Sequence, residues 1–408
     1  MKKIVAPKRP RVVLLVESSR AYGRRTLAGV AKYLRQHERW AIFFQEHSLC
    51  DDIPRWLAGW RGDGIIARLD NEELVGVIQR LRVPVVYLRH VVPTPKTPYV
   101  ITNNPAVSHL AFEHLKERGF RHFAFCDFNG ADYSDERRDS FVQYVTEAGL
   151  RCHVFEDEQP VGSGNTAKFE HEGLTDNERV ARWLKDLPKP VGLMACNDMR
   201  GQQVLNACRA VGVIVPDEVA VVGVDNDETL CDLSDPPLSS VVPNAERIGY
   251  EAAALLDLMM AGTRPQQHEV LINPSGVVTR RSTEVLAIED RQIAAAARFI
   301  REHACEGIDV SHVLRAVPLS RSTLERRFTS IMGHSPKQEI LRVRLNRAKQ
   351  LLAESDFTLD AIAEKIGLEH TEYLWRIFKK KFGLTPARFR AAARTNAAAD
   401  RLPSIPRP

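Results

Sequence analysis

Near its C-terminus the chain reads Thr358-Leu-Asp-Ala-Ile-Ala-Glu-Lys-Ile366, breaks at Gly367 and continues as Thr371-Glu-Tyr-Leu-Trp-Arg-Ile-Phe378. On both sides of the break the apolar residues recur at the spacing of an amphipathic helix. Glycine at the break permits a tight turn between the two helices. The stretch therefore predicts a helix-turn-helix unit in which Phe378 anchors the second helix in a hydrophobic core.

The same pattern occurs once before, about fifty residues earlier. It runs Asp309-Val-Ser-His-Val-Leu-Arg-Ala-Val317, breaks at Pro318 and continues as Ser320-Arg-Ser-Thr-Leu-Glu-Arg-Arg-Phe328. Leu324 of the first copy matches Leu374 of the second at an offset of 50. A helix-turn-helix pattern that occurs twice is typical of an all-α domain that reads DNA.

One long helix, predicted over Pro336–Glu354, joins the two copies. A rigid connector fixes the distance between the two recognition helices. Two such helices on one face of DNA enter successive major grooves, roughly 34 Å apart. We therefore expect a single chain to read a split site whose half-sites lie about one helical turn apart.

Positive charge concentrates on the repeat. Between Asp309 and Arg394 there are 17 Lys and Arg against 9 Asp and Glu, a net charge of +8, whereas the whole chain carries only +5. The rest of the chain is therefore close to neutral. A basic end on a neutral body indicates a partner that is a nucleic acid. A helical bundle with solvated basic faces is the alternative, and the duplication disfavours it.

The outward faces of the two second helices supply the candidate DNA contacts, because Arg, Glu and hydroxyl side chains can hydrogen-bond to base edges. They are Arg321, Ser322, Glu325 and Arg326 in the first copy, and His370, Thr371, Glu372, Trp375 and Arg376 in the second. Further basic residues suit DNA phosphates. These are Arg327, Arg342, Arg344, Lys379, Lys380 and Lys381.

The body of the chain alternates short apolar runs with helix-period segments, from a first strand over Val12–Val16 to a last over Val270–Ile272. Such alternation predicts parallel sheets with helices on both faces, and the length of the body favours two lobes. The predicted fold is thus a two-lobed α/β domain over residues 10–283, a linker over 284–292, the all-α double helix-turn-helix domain over 293–392 and a disordered tail over 393–408.

Polar clusters follow four of the predicted strands, which is where a two-lobed α/β fold binds its ligand. Carboxylates, amides and arginine beside an aromatic ring form a typical sugar site, since planar groups pair with sugar hydroxyls. The candidate effector residues are Ser18, Arg20, Tyr22, Tyr133, Arg137, Asn197, Asp198 and Asp225. Each cluster also has a purely structural interpretation: a helix N-cap for Asn197 and Asp198, a turn for Asp225, a solvated helix residue for Arg137, an ordinary loop for Ser18 to Tyr22.

Composition fits a soluble globular protein, without an apolar run long enough to span a membrane. The basic N-terminus lacks a cleavage site and leads directly into the first strand, so we expect no signal peptide. Seven scattered cysteines without a CxxC pair are typical of thiols in a reducing cytoplasm. No nucleophile elbow, P-loop, HExxH or GxGxxG motif occurs, so we expect neither a cofactor nor a bound metal.

The C-terminal region, over about residues 291–392, resembles the DNA-binding domain of the AraC family of bacterial transcription regulators. The resemblance rests on four motifs. They are Arg347-Ala-Lys-Gln-Leu-Leu352, Ile362-Ala with Ile366-Gly, Phe378-Lys-Lys-Lys-Phe-Gly383, and Thr385-Pro386 with Phe389-Arg390. It implies a bacterial protein that acts at the nucleoid, by default as an activator that contacts RNA polymerase.

The body resembles the periplasmic-binding-protein-like effector domain (type I) of the LacI family. The matching strings are Gly192-Leu-Met-Ala-Cys-Asn-Asp198, Val215-Pro-Asp-Glu-Val-Ala-Val-Val-Gly-Val-Asp225, Pro236-Pro-Leu-Ser-Ser-Val241 and Arg280-Arg-Ser282. On that pattern Arg137, Asn197, Asp198 and Asp225 match effector contacts. A LacI-type body on an AraC-type DNA domain is the arrangement of the xylose-operon activators, which implies D-xylose as the first candidate effector.

We therefore predict a cytoplasmic, DNA-binding transcription regulator, an expected homodimer, which a sugar controls. Another sugar and a repressor role remain alternatives. A sugar-processing enzyme using Asp198 and Asp225 as its carboxylate pair is a remote one. A transport receptor is disfavoured because no signal sequence is found.

Overall fold

The computed structural model describes residues 9–37, 40–48, 55–69, 72–90, 98–155, 166–265, 268–284, 290–355 and 357–391. The chain divides into two compact units, Met1–Ala287 and Ile288–Pro408. Most of the predicted linker and the whole of the predicted tail, 393–408, lie outside the described residues.

The first unit is a two-lobed α/β domain, as the sequence predicts, and its described residues form two six-stranded sheets. Its strands are β1 (Arg11–Leu15), β2 (Ala41–Phe44), β3 (Gly64–Ala67), β4 (Val85–Tyr87), β5 (Tyr99–Thr102), β6 (His122–Cys126), β7 (Arg151–Phe155), β8 (Val191–Ala195), β9 (Val219–Val224), β10 (Ser239–Val242), β11 (Glu269–Ile272) and β12 (Gly276–Val278). Its helices are α1 (Ala21–Gln36), α2 (Glu72–Arg80), α3 (Asn104–Lys116), α4 (Asp132–Glu147), α5 (Thr166–Thr175), α6 (Asn177–Asp186), α7 (Asp198–Ala210), α8 (Glu228–Leu233) and α9 (Ala245–Met260).

Each sheet belongs to one lobe. The first lobe has the strand order β11-β5-β4-β3-β1-β2 with every pair parallel. The second has the order β12-β10-β9-β8-β6-β7, parallel except for the antiparallel pair of β10 with β12. The chain leaves the first lobe after β5, returns after β10 and crosses again after β11, so the carboxyl ends of both sheets face one cleft.

The central strands β8 and β9 consist of apolar residues and glycine because both faces of the sheet are buried. Every residue of β9 is buried, as is every residue of β8, because helices cover both faces of a parallel sheet. The last described turn of the unit is buried as well: the short turn Arg281–Thr283 places Ser282 and Thr283 at 0% exposure in the second lobe. The body therefore extends at least to Thr283.

The second unit is helical, in agreement with the prediction. Its helices are α10 (Arg291–His303), α11 (Val310–Ala316), α12 (Arg321–Met332), α13 (Pro336–Glu354), α14 (Leu359–Lys365) and α15 (Thr371–Phe382). Helices α11 and α12 form the first helix-turn-helix, and α14 and α15 form the second. Gly333 and Gly383 end α12 and α15 in the left-handed conformation, which glycine adopts without strain.

Helix α13 belongs to the cores of both helix-turn-helix units. Its Ile340 packs with Phe328 in the first core, whereas Leu345 and Ala348 pack with Phe378 in the second. A capping box fixes its start, because the Ser335 side chain accepts from the Gln338 amide while the Gln338 side chain accepts from the Ser335 amide. The connector predicted from the sequence is thus one continuous, packed helix.

None of the helices in the described part of the chain combines the length and the apolar composition that a membrane span requires.

Candidate functional site

The cleft between the lobes collects side chains from the carboxyl ends of strands in both sheets. Six of the eight predicted effector residues line it: Arg20, Tyr22, Tyr133, Arg137, Asn197 and Asp225. The cleft is also lined by residues that the sequence analysis did not select. These include Arg68, Arg89, Thr102, Asn104, Asp132, Glu136 and Glu170.

Glu170 is the centre of the second-lobe side of the cleft. It lies on α5, and its side chain is only 2% exposed. Its carboxylate forms an ion pair with Arg20 of the first lobe at 2.5 Å and accepts a hydrogen bond from the Tyr133 hydroxyl at 2.6 Å. The Asn197 amide donates to Tyr133 Oη at 2.9 Å and lies 3.4 Å from Glu170 Oε1. One carboxylate thus orients an arginine, a tyrosine and an amide toward the same space.

Arg137 is held rigidly in the floor of the cleft. Its Nε donates to Asn104 Oδ1 at 2.9 Å and its Nη1 to the Cys196 carbonyl at 2.6 Å. The guanidinium also lies 5.0 Å from the centre of the Tyr133 ring, a cation–π contact. Its guanidinium is thus held by neutral acceptors, and its charge opposes the rise that burial causes in the pKa of the Asp225 carboxyl.

Asp225 follows β9 in an uncommon backbone conformation. Its φ is 107° and that of Asn226 is 46°, both in a region that non-glycine residues rarely adopt. The backbone N–H of Asn226 donates to Ser240 Oγ at 2.9 Å, and this hydrogen bond holds the turn in place. The turn presents the Asp225 carboxylate to the cleft, and burial raises the pKa of this carboxyl above its ordinary value. Strain of this kind is commonly kept at binding sites.

Asp198 lies behind this turn and outside the cleft lining, contrary to the expected effector contact. Its Oδ1 accepts from Ser240 Oγ at 2.6 Å and its Oδ2 from the Asp227 amide at 2.8 Å. Burial, followed by the nearby Asp225 carboxylate, raises the pKa of Asp198 to about 8. Its position follows from Gly223, where an added Cβ would stand 2.4 Å from Asp198 Oδ1. The contacts make Asp198 a support for the Asp225 turn.

Ser18 is the second predicted residue that does not line the cleft. Its backbone amide donates to the His47 carbonyl at 3.1 Å, and its hydroxyl is buried. These contacts are those of an ordinary loop residue, the structural alternative given for Ser18 in the sequence analysis. Arg68, which directly follows the neighbouring strand β3, lines this side of the cleft instead, and its guanidinium lies 4.7 Å from the centre of the Tyr22 ring.

The arrangement suits a small molecule rich in hydroxyl groups. The cleft encloses at most 650 Å³, counting its open mouth. Amide, carboxylate and guanidinium groups surround it, and each can exchange two hydrogen bonds with adjacent hydroxyls. The Tyr22 and Tyr133 rings supply apolar surface against which a sugar ring can pack.

The candidate DNA surface of the first copy is exposed along α12. Arg321, Ser322, Glu325 and Arg326 all reach solvent. Arg321 and Glu325 form an i,i+4 ion pair with an Nε to Oε1 distance of 3.2 Å. A surface pair of this kind adds little stability, so both side chains can exchange it for contacts with base edges.

On α15 of the second copy His370, Glu372, Trp375 and Arg376 are exposed, whereas Thr371 is half-buried. The Thr371 hydroxyl donates to the Asp360 carboxylate, which ties α15 to α14. The Trp375 indole remains 43% exposed with Lys379 Nζ 5.1 Å from its ring centre. A large exposed aromatic on a recognition helix favours apolar contact with a base.

The basic residues expected at phosphates divide into two groups. Lys379, Lys380 and Lys381 are exposed along the end of α15. The three arginines are instead bound within the unit: Arg327 to Asp290 and Gln292, Arg342 to Glu339, and Arg344 to the Ala304 and Ile308 carbonyls. These contacts assign the three arginines to the packing of the helices, whereas the three lysines are exposed to solvent.

Three domain families match successive parts of the chain. Residues 11–105 match the family described as the XylR N-terminal domain, residues 112–283 the periplasmic binding protein-like domain, and residues 313–392 a helix-turn-helix domain. The xylose operon regulatory protein of Escherichia coli (strain K12) is 33% identical over 393 residues, which are 94% of this chain and 97% of that protein. The chain belongs to the family of xylose operon regulatory proteins.

A second xylose operon regulatory protein, from Haemophilus influenzae, is 32% identical over 93% of this chain and 98% of its own length. A solved structure, described as the xylose-binding transcription activator xylR, matches with a TM-score of 0.75 and 32% identity, over 95% of this chain and 99% of that one. A cellobiose complex of the regulator CelR matches over 68% of this chain and 86% of that one, at a TM-score of 0.54 and 22% identity, and this likeness concerns the fold. The chain is thus a transcription regulator of the xylose operon family, with a DNA-binding domain and a periplasmic-binding-protein-like domain.

Proposed function

We propose that this regulator binds a neutral monosaccharide, D-xylose first, in the cleft of its body, and that the bound sugar controls the affinity of its helix-turn-helix domain for operator DNA. The observation that carries the proposal is the convergence of Arg20, Tyr133, Asn197 and Glu170 on one cleft facing Asp225. Two relatives similar along almost the whole chain are xylose operon regulators, and a similar solved structure is described as xylose-binding.

In this proposal the residues of the cleft divide into contacts and supports. Arg20, Tyr22, Tyr133, Arg137, Asn197 and Asp225 contact the sugar, together with Arg68, Arg89 and Glu170. Asp198 acts through the turn that presents Asp225. Because the interacting groups come from both lobes, a sugar that binds them all favours the closed cleft.

For DNA we propose that α12 and α15 read base edges through Arg321, Ser322, Glu325, Arg326, His370, Thr371, Glu372 and Arg376. The phosphate contacts come from Lys379, Lys380 and Lys381, and Arg327 contributes only after its pair with Asp290 opens. Activation of transcription is proposed because the similar solved structure is described as an activator. The homodimer, the contact with RNA polymerase and the cytoplasmic, nucleoid-associated location stay predictions.

We further propose that the protein senses its sugar without converting it. The enzyme alternative requires Asp198 and Asp225 to act as a carboxylate pair on one substrate. Both Asp198 oxygens are instead bonded behind the cleft, to Ser240 Oγ and to the Asp227 amide. Incubation of the protein with D-xylose, followed by chromatography of the sugar, should recover it unchanged.

The first experiment follows the melting temperature of the protein during titration with D-xylose and a panel of other pentoses and hexoses. A ligand that binds only the folded state raises the melting temperature in proportion to the logarithm of its concentration. We expect D-xylose to raise the melting temperature. A shift with a different sugar would retain the sensor and replace its effector, and no shift with any sugar would refute the proposal.

Asp225→Asn tests the site itself. The substitution keeps the shape and removes the charge, so sugar affinity should fall by about 10- to 100-fold, the range for a hydrogen bond to a charged group. Binding to operator DNA without sugar should be unchanged, because the recognition helices belong to the other unit. Loss of both activities in this variant would contradict separate sites; Asp186→Asn, the same change at an exposed position on α6, is the control.

A further inference from the structure

Behind the first-lobe side of the cleft lies a carboxylate that does not line it. Glu17, two residues after the end of β1, is 0% exposed. Its Oε1 accepts from Arg68 Nη1 at 2.7 Å, and its Oε2 is buried without a hydrogen-bond partner among the described residues. The carboxylate is therefore committed to one guanidinium, that of Arg68, which does line the cleft.

The pair is fixed in position from both sides. The backbone of α1 approaches Glu17 so closely that a Cβ at Gly23 would stand 2.0 Å from the Glu17 carbonyl oxygen and 2.7 Å from Oε1. On the cleft side the Arg68 guanidinium covers the Tyr22 ring, whose hydroxyl lies 3.0 Å from Thr102 Oγ1. Neither charge can move away from the other without disturbing the cleft wall.

Two other arginines of the cleft are matched in the same way. Arg20 pairs with Glu170. Arg89 donates from Nε to one carboxylate oxygen of Asp132 and from Nη2 to the other. An anionic ligand would have to displace one of these carboxylates, or compete for Arg137 with Asp225, the carboxyl on which the Arg137 charge already acts. A neutral polyol needs only hydrogen bonds and displaces none of them.

We propose that Glu17 determines the charge class of the effector: by neutralising Arg68 from behind, it restricts the cleft to uncharged sugars and rejects sugar acids. The inference rests on the proposed function. It makes Glu17 a positioning residue, which acts through Arg68 and does not itself contact the sugar. Without the Glu17 carboxylate, Arg68 loses its ion-pair partner in a partly desolvated cleft. A ligand carboxylate then becomes its partner.

The test compares three ligands by calorimetry on the full chain. D-glucuronate carries the ring of D-xylose plus a carboxylate on C5, and D-glucose carries a neutral hydroxymethyl group there. The affinity ratio of glucuronate to glucose therefore isolates charge from size. In the wild type we expect glucuronate to bind more weakly than glucose. In Glu17→Gln, which retains an acceptor for Arg68, the ratio should rise by about tenfold or more, as expected for one partly buried charge at this range.

Three further variants keep the result specific. Glu17→Asp preserves the charge and should behave as the wild type. Glu17→Gln combined with Arg68→Gln removes both charges and should return the ratio to the wild-type value. Glu113→Gln, on the outer face of α3, is the control for an unrelated lost carboxylate, since Glu113 pairs with Lys116.

An unchanged ratio of glucuronate to glucose affinity in Glu17→Gln would overturn the inference. A wild type that binds glucuronate as tightly as glucose would overturn it as well, and this wild-type measurement decides even where the variant fails to fold. If neither hexose binds the wild type, glucuronate binding that appears in Glu17→Gln supports the inference, and its absence overturns it. A wild type that binds no neutral sugar at all, D-xylose included, refutes the proposed function instead.

Discussion

His114 is a buried histidine whose titration links the stability of the body to pH. It lies on α3 and is 8% exposed, with Nε2 2.8 Å from the hydroxyl of Thr283, near the end of the body. Burial, followed by the charge of Arg118, lowers the pKa of His114 to about 3. The folded protein therefore keeps this imidazole neutral at pH values where the unfolded chain, with a histidine pKa of about 6.5, already binds a proton.

The sign of the effect follows from that difference. Below pH 6.5 the unfolded state binds more protons than the folded state, so the free energy of unfolding falls as pH falls, until about pH 3. Between pH 6.5 and 5 the loss from this one group is about 2 kcal/mol. Urea unfolding of His114→Gln should show a pH dependence shallower by that amount, and parallel pH profiles for variant and wild type would contradict the assignment.

At the same scale, the sequence identifies the residues that follow strands but not the direction in which each points. Arg20, Tyr133 and Asp225 are expected at the cleft and line it. Asp198 is expected there for the same reason, yet it points the other way. Its orientation depends on Ser240 and on the space left by Gly223, and both belong to other strands. A strand-end position alone therefore does not separate a contact from a support.

Helices α1 and α9 meet through backbone contact, which two glycines permit. A Cβ at Gly249 would stand 1.9 Å from the Thr26 carbonyl oxygen, and one at Gly29 would stand 1.9 Å from the Glu246 carbonyl oxygen. Gly249→Ala must push the helices apart, and we expect it to lower the free energy of unfolding by about 1–3 kcal/mol or more.

The matched control is Gly76→Ala on α2, where the nearest atom to an added Cβ is 3.9 Å away. That substitution should be neutral or stabilise by about 0.5–1 kcal/mol, because alanine loses less backbone entropy in a helix than glycine does. Chemical unfolding of both variants measures the contrast. Equal effects at the two positions would show that the contact between α1 and α9 is not responsible.

Among the elements, those with a clear hydrophobic period are predicted from the sequence and those stabilised by polar contacts are not. The connector α13 is predicted over its full extent, Pro336–Glu354. Strand β10 is missed because its first two residues, Ser239 and Ser240, are buried by hydrogen bonds rather than by apolar side chains. Helix α5 is missed as well, and with it Glu170, because that residue lies within a helix and does not directly follow a strand.

At the scale of the whole domain, the two copies share a fold but differ on their DNA faces. The offset of 50 that pairs Leu324 with Leu374 sets Glu325 opposite Trp375, and Thr329-Ser330-Ile331 opposite Lys379-Lys380-Lys381. The second copy therefore carries more charge for phosphates and an aromatic in place of a carboxylate. We expect the two half-sites to differ in sequence, and the second copy to supply most of the salt-dependent affinity.

The distance between these faces is set by α13, whose 19 residues span about 28 Å. Because both cores include side chains of α13, the two recognition helices cannot move independently. A DNA site for one chain must therefore keep both the angular phase and the separation of its half-sites, which we expect to be roughly 34 Å. Inserting roughly 5 bp between them turns one half-site to the opposite face.

An insertion of roughly 10 bp restores the face but adds one helical turn, which the rigid connector cannot span. In mobility-shift titrations both insertions should reduce the affinity to that of a DNA carrying one half-site, the control probe. Recovery of full affinity with the longer insertion alone would mean that two chains, joined by a flexible connection, read the half-sites. Two independently held helix-turn-helix units tolerate added turns of DNA, whereas units joined by a single packed helix do not.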